Sequence, residues 1–316
     1  MPTKAAYLRF LDRYRLSEAD VPPILPKSLV PSAQRLVDQA WPNETREEMV
    51  NGLASNTNTL IESIVGSLEA RLEMLGAPKT PLPFYAGVFP SKSFNAQAVL
   101  IEDGALLLID TGCFSLLEAL IMFWGCSEDP HEGIRRAAKI VVDYVDSYQL
   151  PKPEEYDLPE MHRDGHRLLA FVSIVTKSEE FVLGHELGHL RLGHLLGQQA
   201  PRSGGIYPAN RSWDDEISAD LFALDLLTHK RDALDIRTGC AGAYVFFATA
   251  GLIERALQRG AAPRVGWTDT HPPSVMRAAV LEQALVEHQL LDSADLGQRF
   301  NWWANEVGTL IEQTPA

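Results

Sequence analysis

The chain lacks the features that mark several protein classes. Its three cysteines, Cys113, Cys126 and Cys240, are few in 316 residues, and none stands in a C-x-x-C pair. A cysteine zinc knuckle is therefore excluded, and the set reads as reduced, mostly buried thiols of a cytoplasmic protein. Bilayer spans need about 20 apolar residues. The longest uncharged apolar run, Thr238 to Ile253, has 16 and is interrupted by Gly, Ala and Thr. It reads as a buried helix, so no membrane span is expected. Residues 1–20 carry scattered charges and no apolar core of signal-peptide type. No basic cluster exceeds Arg135-Arg136 with Lys139, in a chain of net charge -14. Such a chain repels polyanions, so nucleic acid is not an expected partner. Internal repeats and low-complexity tracts are also missing.

What is present is ordinary globular composition, 46% hydrophobic and 22% charged, in a length that suits one large domain with an appendage. The pattern divides into a helical N-terminal region, 1–82, and a larger domain, 83–316. In the first, Tyr7, Phe10, Leu11 and Tyr14 recur at helical spacing, and prolines follow between 22 and 31. A long amphipathic helix is predicted over 44–75, and 76–83 reads as a linker. In the second, Gln97 to Ile101 and Ala105 to Ile109 are apolar runs flanking Glu102-Asp103-Gly104, which is a hairpin signal. Helices are expected over 114–124 and 131–148, a surface loop over 151–159, and a helix over 178–196. Gly, Pro and Ser cluster between 197 and 212. Further helices are expected from Asp214 onward.

The chemistry concentrates in His185-Glu186-Leu187-Gly188-His189. On a helix the two histidines stand one turn apart on one face and can reach one metal ion. Glu186, beside the first histidine, can reach an attacking water without occupying the metal. A catalytic zinc needs a third protein ligand and one open position. His194 does not fit: continued helix would carry it to the face opposite His185, so it reads as a surface or second-face histidine. Glu216 fits better. It opens Glu216-Ile217-Ser218-Ala219-Asp220, in which Glu216 and Asp220 again share a face. Glu216 can bind zinc while Asp220 accepts a hydrogen bond from the far nitrogen of a ligand histidine. Ala219 is small enough to let the second helix approach the first closely. The alternative for Glu216 is a solvated acid at a helix N-terminus.

These residues together resemble the gluzincin metallopeptidases. Ser178-Glu179-Glu180-Phe181-Val182-Leu183-Gly184-His185-Glu186-Leu187-Gly188-His189 with Glu216-x-x-Ala219-Asp220 is similar to the HtpX and CAAX-prenyl-protease family. Two further segments resemble the same family: Asn95-Ala96-Gln97-Ala98 with Thr111-Gly112 after it, and Thr270-His271-Pro272-Pro273 with Arg277. The resemblance covers roughly residues 90–285. It implies an α+β, mostly helical zincin-like fold with a small antiparallel hairpin beside the active-site helix. It also implies one zinc ion per chain on His185, His189 and Glu216, with Glu186 as general base and Asp220 supporting a ligand. Asn95 to Ala98 would hold a substrate peptide as an added strand. His271 would stabilise the oxyanion, supported by Arg277; the alternatives are a helix-start histidine before two prolines and a surface ion-pair partner. The family's transmembrane helices are missing here. The short gap between His189 and Glu216 is also similar to the ImmA/IrrE-type metallopeptidases, which cleave regulators.

The expected reaction is hydrolysis of a peptide bond in a protein or peptide substrate, with zinc activating water and Glu186 moving its proton. Two other readings stand beside it. One is a zinc-stabilised regulatory or binding protein, with residues 1–82 as the partner-binding element. The other is an enzyme held inactive until triggered, with 126–164 as a lid.

Overall fold

The computed structural model describes residues 4–21, 57–77, 80, 82–102, 104–127, 129–149, 165–196, 212–259, 271–288, 290 and 294–315. The expected loop at 151–159, nearly all of the 197–212 stretch, the first part of the 44–75 helix, Asp103 and Thr270 lie outside them. In chain order the elements are α1 (Lys4–Arg13), α2 (Thr57–Met74), β1 (Phe84–Phe89), β2 (Ala96–Ile101), β3 (Gly104–Asp110), α3 (Thr111–Cys126), α4 (Pro130–Ser147), α5 (Gly165–Arg191), α6 (Trp213–Thr228), α7 (Ala233–Leu257), α8 (Ser274–Glu287) and α9 (Ala294–Gln313). The architecture is mostly helical α+β, as the sequence leads one to expect.

The sheet has the order β1-β3-β2. The Asp-Gly signal is realised as the antiparallel β2–β3 hairpin, in register from Ala96↔Ile109 to Ile101↔Gly104. Gly104 takes φ 147°, a conformation that side chains disfavour. β1 is an addition to the expected hairpin, and it pairs with β3 in parallel. Such pairing joins distant segments without a tight turn, so no local signal marks it. β3 is central and buried along its whole length. Its odd-numbered residues Ala105, Leu107 and Ile109 face the main core, whereas Leu106 and Leu108 face Tyr7, Phe10 and Leu11 of α1. β2 lies at the edge of the sheet, against α5.

The helical side is built around α5, which packs on α6, α7, α3 and α2. Local signals define the helix starts. Asp129 accepts from His131 N–H ahead of Pro130 in α4, and Asp232 accepts from Asp235 N–H in α7. Ser212 and Asp215 form a reciprocal capping box on α6. Among the described residues α7 is the one helix long and apolar enough to cross a membrane by length and composition, with 67% of its apolar window buried inside the protein. Gly242 lets α7 approach α5 closely: a Cβ there would lie 2.5 Å from the Lys177 carbonyl carbon. Ser178 Oγ–H donates to Gly242 O across the same contact.

α5 also buries an acid away from the histidines. Glu179 is 6% exposed. Burial, with Glu118 and then Glu180 nearby, pushes its pKa from 4.5 to about 8. Glu180 itself is held by Arg71 at 3.0 Å and Lys177 at 2.9 Å. Between pH 4.5 and about 8 the folded chain keeps a proton on Glu179 that the unfolded chain releases, so stability falls as pH rises through that window. Glu179→Gln is therefore expected to melt at a higher temperature than the wild type at about pH 8. The two should converge near about pH 5, as read by circular dichroism.

Candidate metal centre

Two glycines bring the chemistry together. Gly184 and Gly188 lie one turn apart on α5, facing Ala223 and Ala219 of α6. A Cβ on Gly188 would lie 3.2 Å from the Ala219 Cα, and one on Gly184 would lie 3.3 Å from the Ala223 Cβ. This small-residue seam lets the helix backbones approach closely, and it sets Glu216 opposite the two histidines. His185 and His189 Nε2 are 3.0 Å apart. Glu216 Oε2 is 3.4 Å from His185 Nε2, and Oε1 is 3.4 Å from His189 Nε2. All three residues are buried, and one ligand atom from each lies within 4.8 Å of the others. Metal–nitrogen bonds of about 2.0–2.1 Å in a tetrahedral site require ligand atoms roughly 3.3 Å apart. The distance between the two histidine nitrogens, and that from each to one or other Glu216 oxygen, are close to that spacing, so the three residues could hold a metal ion.

The neighbours of His185 fix its ring. Asp220 Oδ1 lies 2.8 Å from His185 Nδ1. Arg277 Nη2–H and Nε–H donate to the two oxygens of Asp220 at 2.6 and 2.7 Å, a bidentate pair, and the guanidinium carbon stands 5.0 Å from the centre of the Phe247 ring. Burial raises the Asp220 pKa, but Arg277 and His185 outweigh it and hold the carboxyl below its ordinary range. For Glu216 burial again acts upward, yet the His185 hydrogen bond and surrounding positive charge bring it to about 2. Both carboxylates are therefore ionised, against the single guanidinium of Arg277. Either a proton on His185 or a cation offsets the excess. Burial lowers the His185 pKa, and Asp220 and Glu216 raise it to about 9. In its neutral form, with Nδ1–H donating to Asp220, His185 directs its Nε2 lone pair at the point between the candidate ligand atoms.

A cleft opens beside this cluster. It is bordered by Asn95 and Ala96 on the sheet side, by Val182 and Phe246 on the helical side, and by His271 and Pro272. Glu186 lines the same cleft, its Oε1 3.9 Å from His185 Nε2. His271 is partly exposed, with Nε2 3.4 Å from Glu216 Oε2. Burial lowers its pKa more than Glu216 raises it. His185, His189, Glu216, Glu186, Asp220, His271 and Arg277 are thus all gathered in one place. Of the strand residues, Asn95 and Ala96 border the cleft, whereas Ala98 is buried in the core and Gln97 is partly buried.

Two placements differ from the sequence reading. Arg277 is neither a surface ion-pair partner nor directed chiefly at His271; it is buried on Asp220. His194 is not on a far face. α5 ends at Arg191 rather than reaching 196, because His194 N–H donates to His189 O and Gly193 N–H to Leu190 O, with Gly193 at φ +78°. This Schellman turn folds His194 back onto His189, Nδ1 to Nδ1 at 2.8 Å. The signal was the glycine four residues after His189. Glu254 was also overlooked. Pro273 offers no side-chain cap to α8, and Glu254 of α7 supplies it, accepting from Ser274 N–H at 3.1 Å and Oγ–H at 2.6 Å. That contact anchors the His271-Pro272-Pro273 segment.

Residues 133–294, just over half of the chain, match a family model described as Peptidase U49. The match contains every residue of the cluster and leaves out the sheet. No curated protein and no solved structure matches the chain. Removing one member of the buried ion pair leaves a charge uncompensated. Arg277→Met is therefore expected to destabilise the fold by about 3–5 kcal/mol, measured by urea denaturation.

Proposed function

This chain belongs to the peptidase U49 family, and we propose that it is a zinc-dependent peptidase whose ion is held by His185, His189 and Glu216, with Glu186 as general base. The observation that carries the reading is the convergence of those three buried ligand atoms beside a cleft that Glu186 also enters. Two imidazoles and a carboxylate form a donor set suited to zinc, and three protein ligands leave a position open. Zinc bound there supplies a Lewis acid for the scissile carbonyl and brings the pKa of a bound water toward neutrality.

The chain's own residues do the rest. Glu186 takes the proton of the attacking water as the carbon–oxygen bond forms. It returns that proton to the amine nitrogen as the carbon–nitrogen bond breaks. His271, partly exposed at the cleft and with its pKa lowered, is a neutral N–H donor for the oxyanion. Asp220, locked by Arg277, keeps His185 in the tautomer with a lone pair at Nε2. The substrate lies as an extended strand along the edge of β2, where Asn95 and Ala96 meet the cleft. The ordered motifs shared with the HtpX and CAAX-prenyl-protease family support this assignment of roles, and a protein or peptide is the fitting substrate.

Glu186→Gln is expected to retain about one zinc per chain, as measured by elemental analysis, while cleavage of a peptide library falls by about 10²–10⁴-fold. A chelator should abolish wild-type cleavage, and added zinc should restore it. Wild-type rates in the variant, or activity indifferent to chelation, would overturn the reading.

A further inference from the structure

His185 has a carboxylate behind it, Asp220. The partner behind His189 is His194, and three hydrogen bonds in sequence define what it does. His189 and His194 meet Nδ1 to Nδ1 at 2.8 Å. On its other side, His194 Nε2 is 3.3 Å from Ser218 Oγ and 3.6 Å from Asp215 Oδ1. The Ser218 hydroxyl hydrogen is directed elsewhere, to the Asp215 backbone carbonyl at 3.1 Å. Ser218 Oγ therefore offers His194 a lone pair, and His194 Nε2 carries the hydrogen. A neutral His194 then has a bare Nδ1, which can only accept. His189 must place its own hydrogen on Nδ1, leaving the Nε2 lone pair directed toward His185 and Glu216. Each step follows from the donor and acceptor capacity of the group before it.

The elements that hold His194 also hold the site. The Schellman turn at Gly193 brings the ring under His189. Asp215 is fixed by the capping box with Ser212, at the N-terminus of the same helix that carries Glu216. His194 thus joins the end of α5 to the start of α6 at the point where both present a ligand atom.

We infer that His194 is a positioning residue: through its Nδ1 it fixes the tautomer and ring orientation of His189, and so tunes how tightly a divalent cation is held. This rests on the zinc reading of His185, His189 and Glu216. A ligand histidine whose far nitrogen loses its partner binds metal about 10- to 100-fold more weakly.

The test measures zinc dissociation constants by competition with a chromophoric chelator, together with melting temperatures of the metal-depleted proteins. His194→Leu, which removes the acceptor, is expected to weaken zinc binding by about 10- to 100-fold. His194→Asn, whose amide oxygen can stand near the Nδ1 position, should return to within about threefold of the wild type. Ser218→Ala, which leaves the His189–His194 contact in place but loosens it, should fall between the two with little change in melting temperature. Cobalt-substituted His194→Leu should show displaced visible bands, and His194→Asn should show bands near those of the wild type. Wild-type zinc affinity in His194→Leu overturns the inference, as does an Asn variant as weak as the Leu variant, which marks His194 as packing alone. If His194→Leu does not fold, Ser218→Ala and His194→Asn decide: wild-type affinity in Ser218→Ala with no rescue in His194→Asn overturns it. Failure of the wild type to bind zinc strikes instead at the parent reading of the ligand set.

Discussion

The close approach of α5 and α6 through Gly184, Gly188, Ala219 and Ala223 is the constraint on which the site depends. Candidate ligand atoms 3.4 Å apart can come from different helices only when no side chain keeps the two backbones apart. A Cβ at Gly184 or Gly188 would meet a Cβ or backbone atom of α6 at little more than 3 Å, and packed interiors yield little to such intrusions. The glycine inside the histidine motif is therefore part of the site's geometry, as much as the histidines that flank it. Packing of α7 on α5 through Gly242 follows the same logic. Close contacts on both sides of α5 leave the helix little freedom to shift.

Electrostatics work on top of that packing. Glu216 and Asp220 are buried and ionised, which is tolerable because Arg277 and His185 stand against them. The arrangement gives each histidine a distinct support. Behind His185 stands a carboxylate locked by a bidentate guanidinium. Behind His189 stands a second imidazole, tied to the capping box of α6. Both supports direct lone pairs to the same point, and both reach it from α6 or from segments that pack on α6. Glu179, buried away from the centre with Glu118 and Glu180 nearby, stays protonated to higher pH.

Much of this was legible in the sequence because the signals are local. Histidines four residues apart, a glutamate and an aspartate four residues apart, and an Asp-Gly between two apolar runs each act within one element. Helical or hairpin geometry then fixes their relation. His194 was misplaced because the wheel argument assumes a continuing helix, whereas Gly193 reverses the chain two residues past its end. β1 left no comparable trace, since its parallel partner is β3, reached only after the chain has passed through β2. Arg277 carried a charge whose partner, 57 residues earlier in the chain, no periodicity could reveal.

The sequence by itself determined the side-chain types of the candidate metal centre, their one-turn spacing, the acid beside them and the mostly helical α+β class. These follow from short-range geometry and from the chemistry of side chains. Tertiary structure alone decided that α6 faces α5 rather than another surface, that Arg277 and His194 stand behind the histidines, that Glu254 caps α8, and that Asn95 and Ala96 border the cleft. Those relations join residues far apart in the chain. They are set by which surfaces exclude water together and by where buried charge finds its partner, and neither property belongs to any single segment.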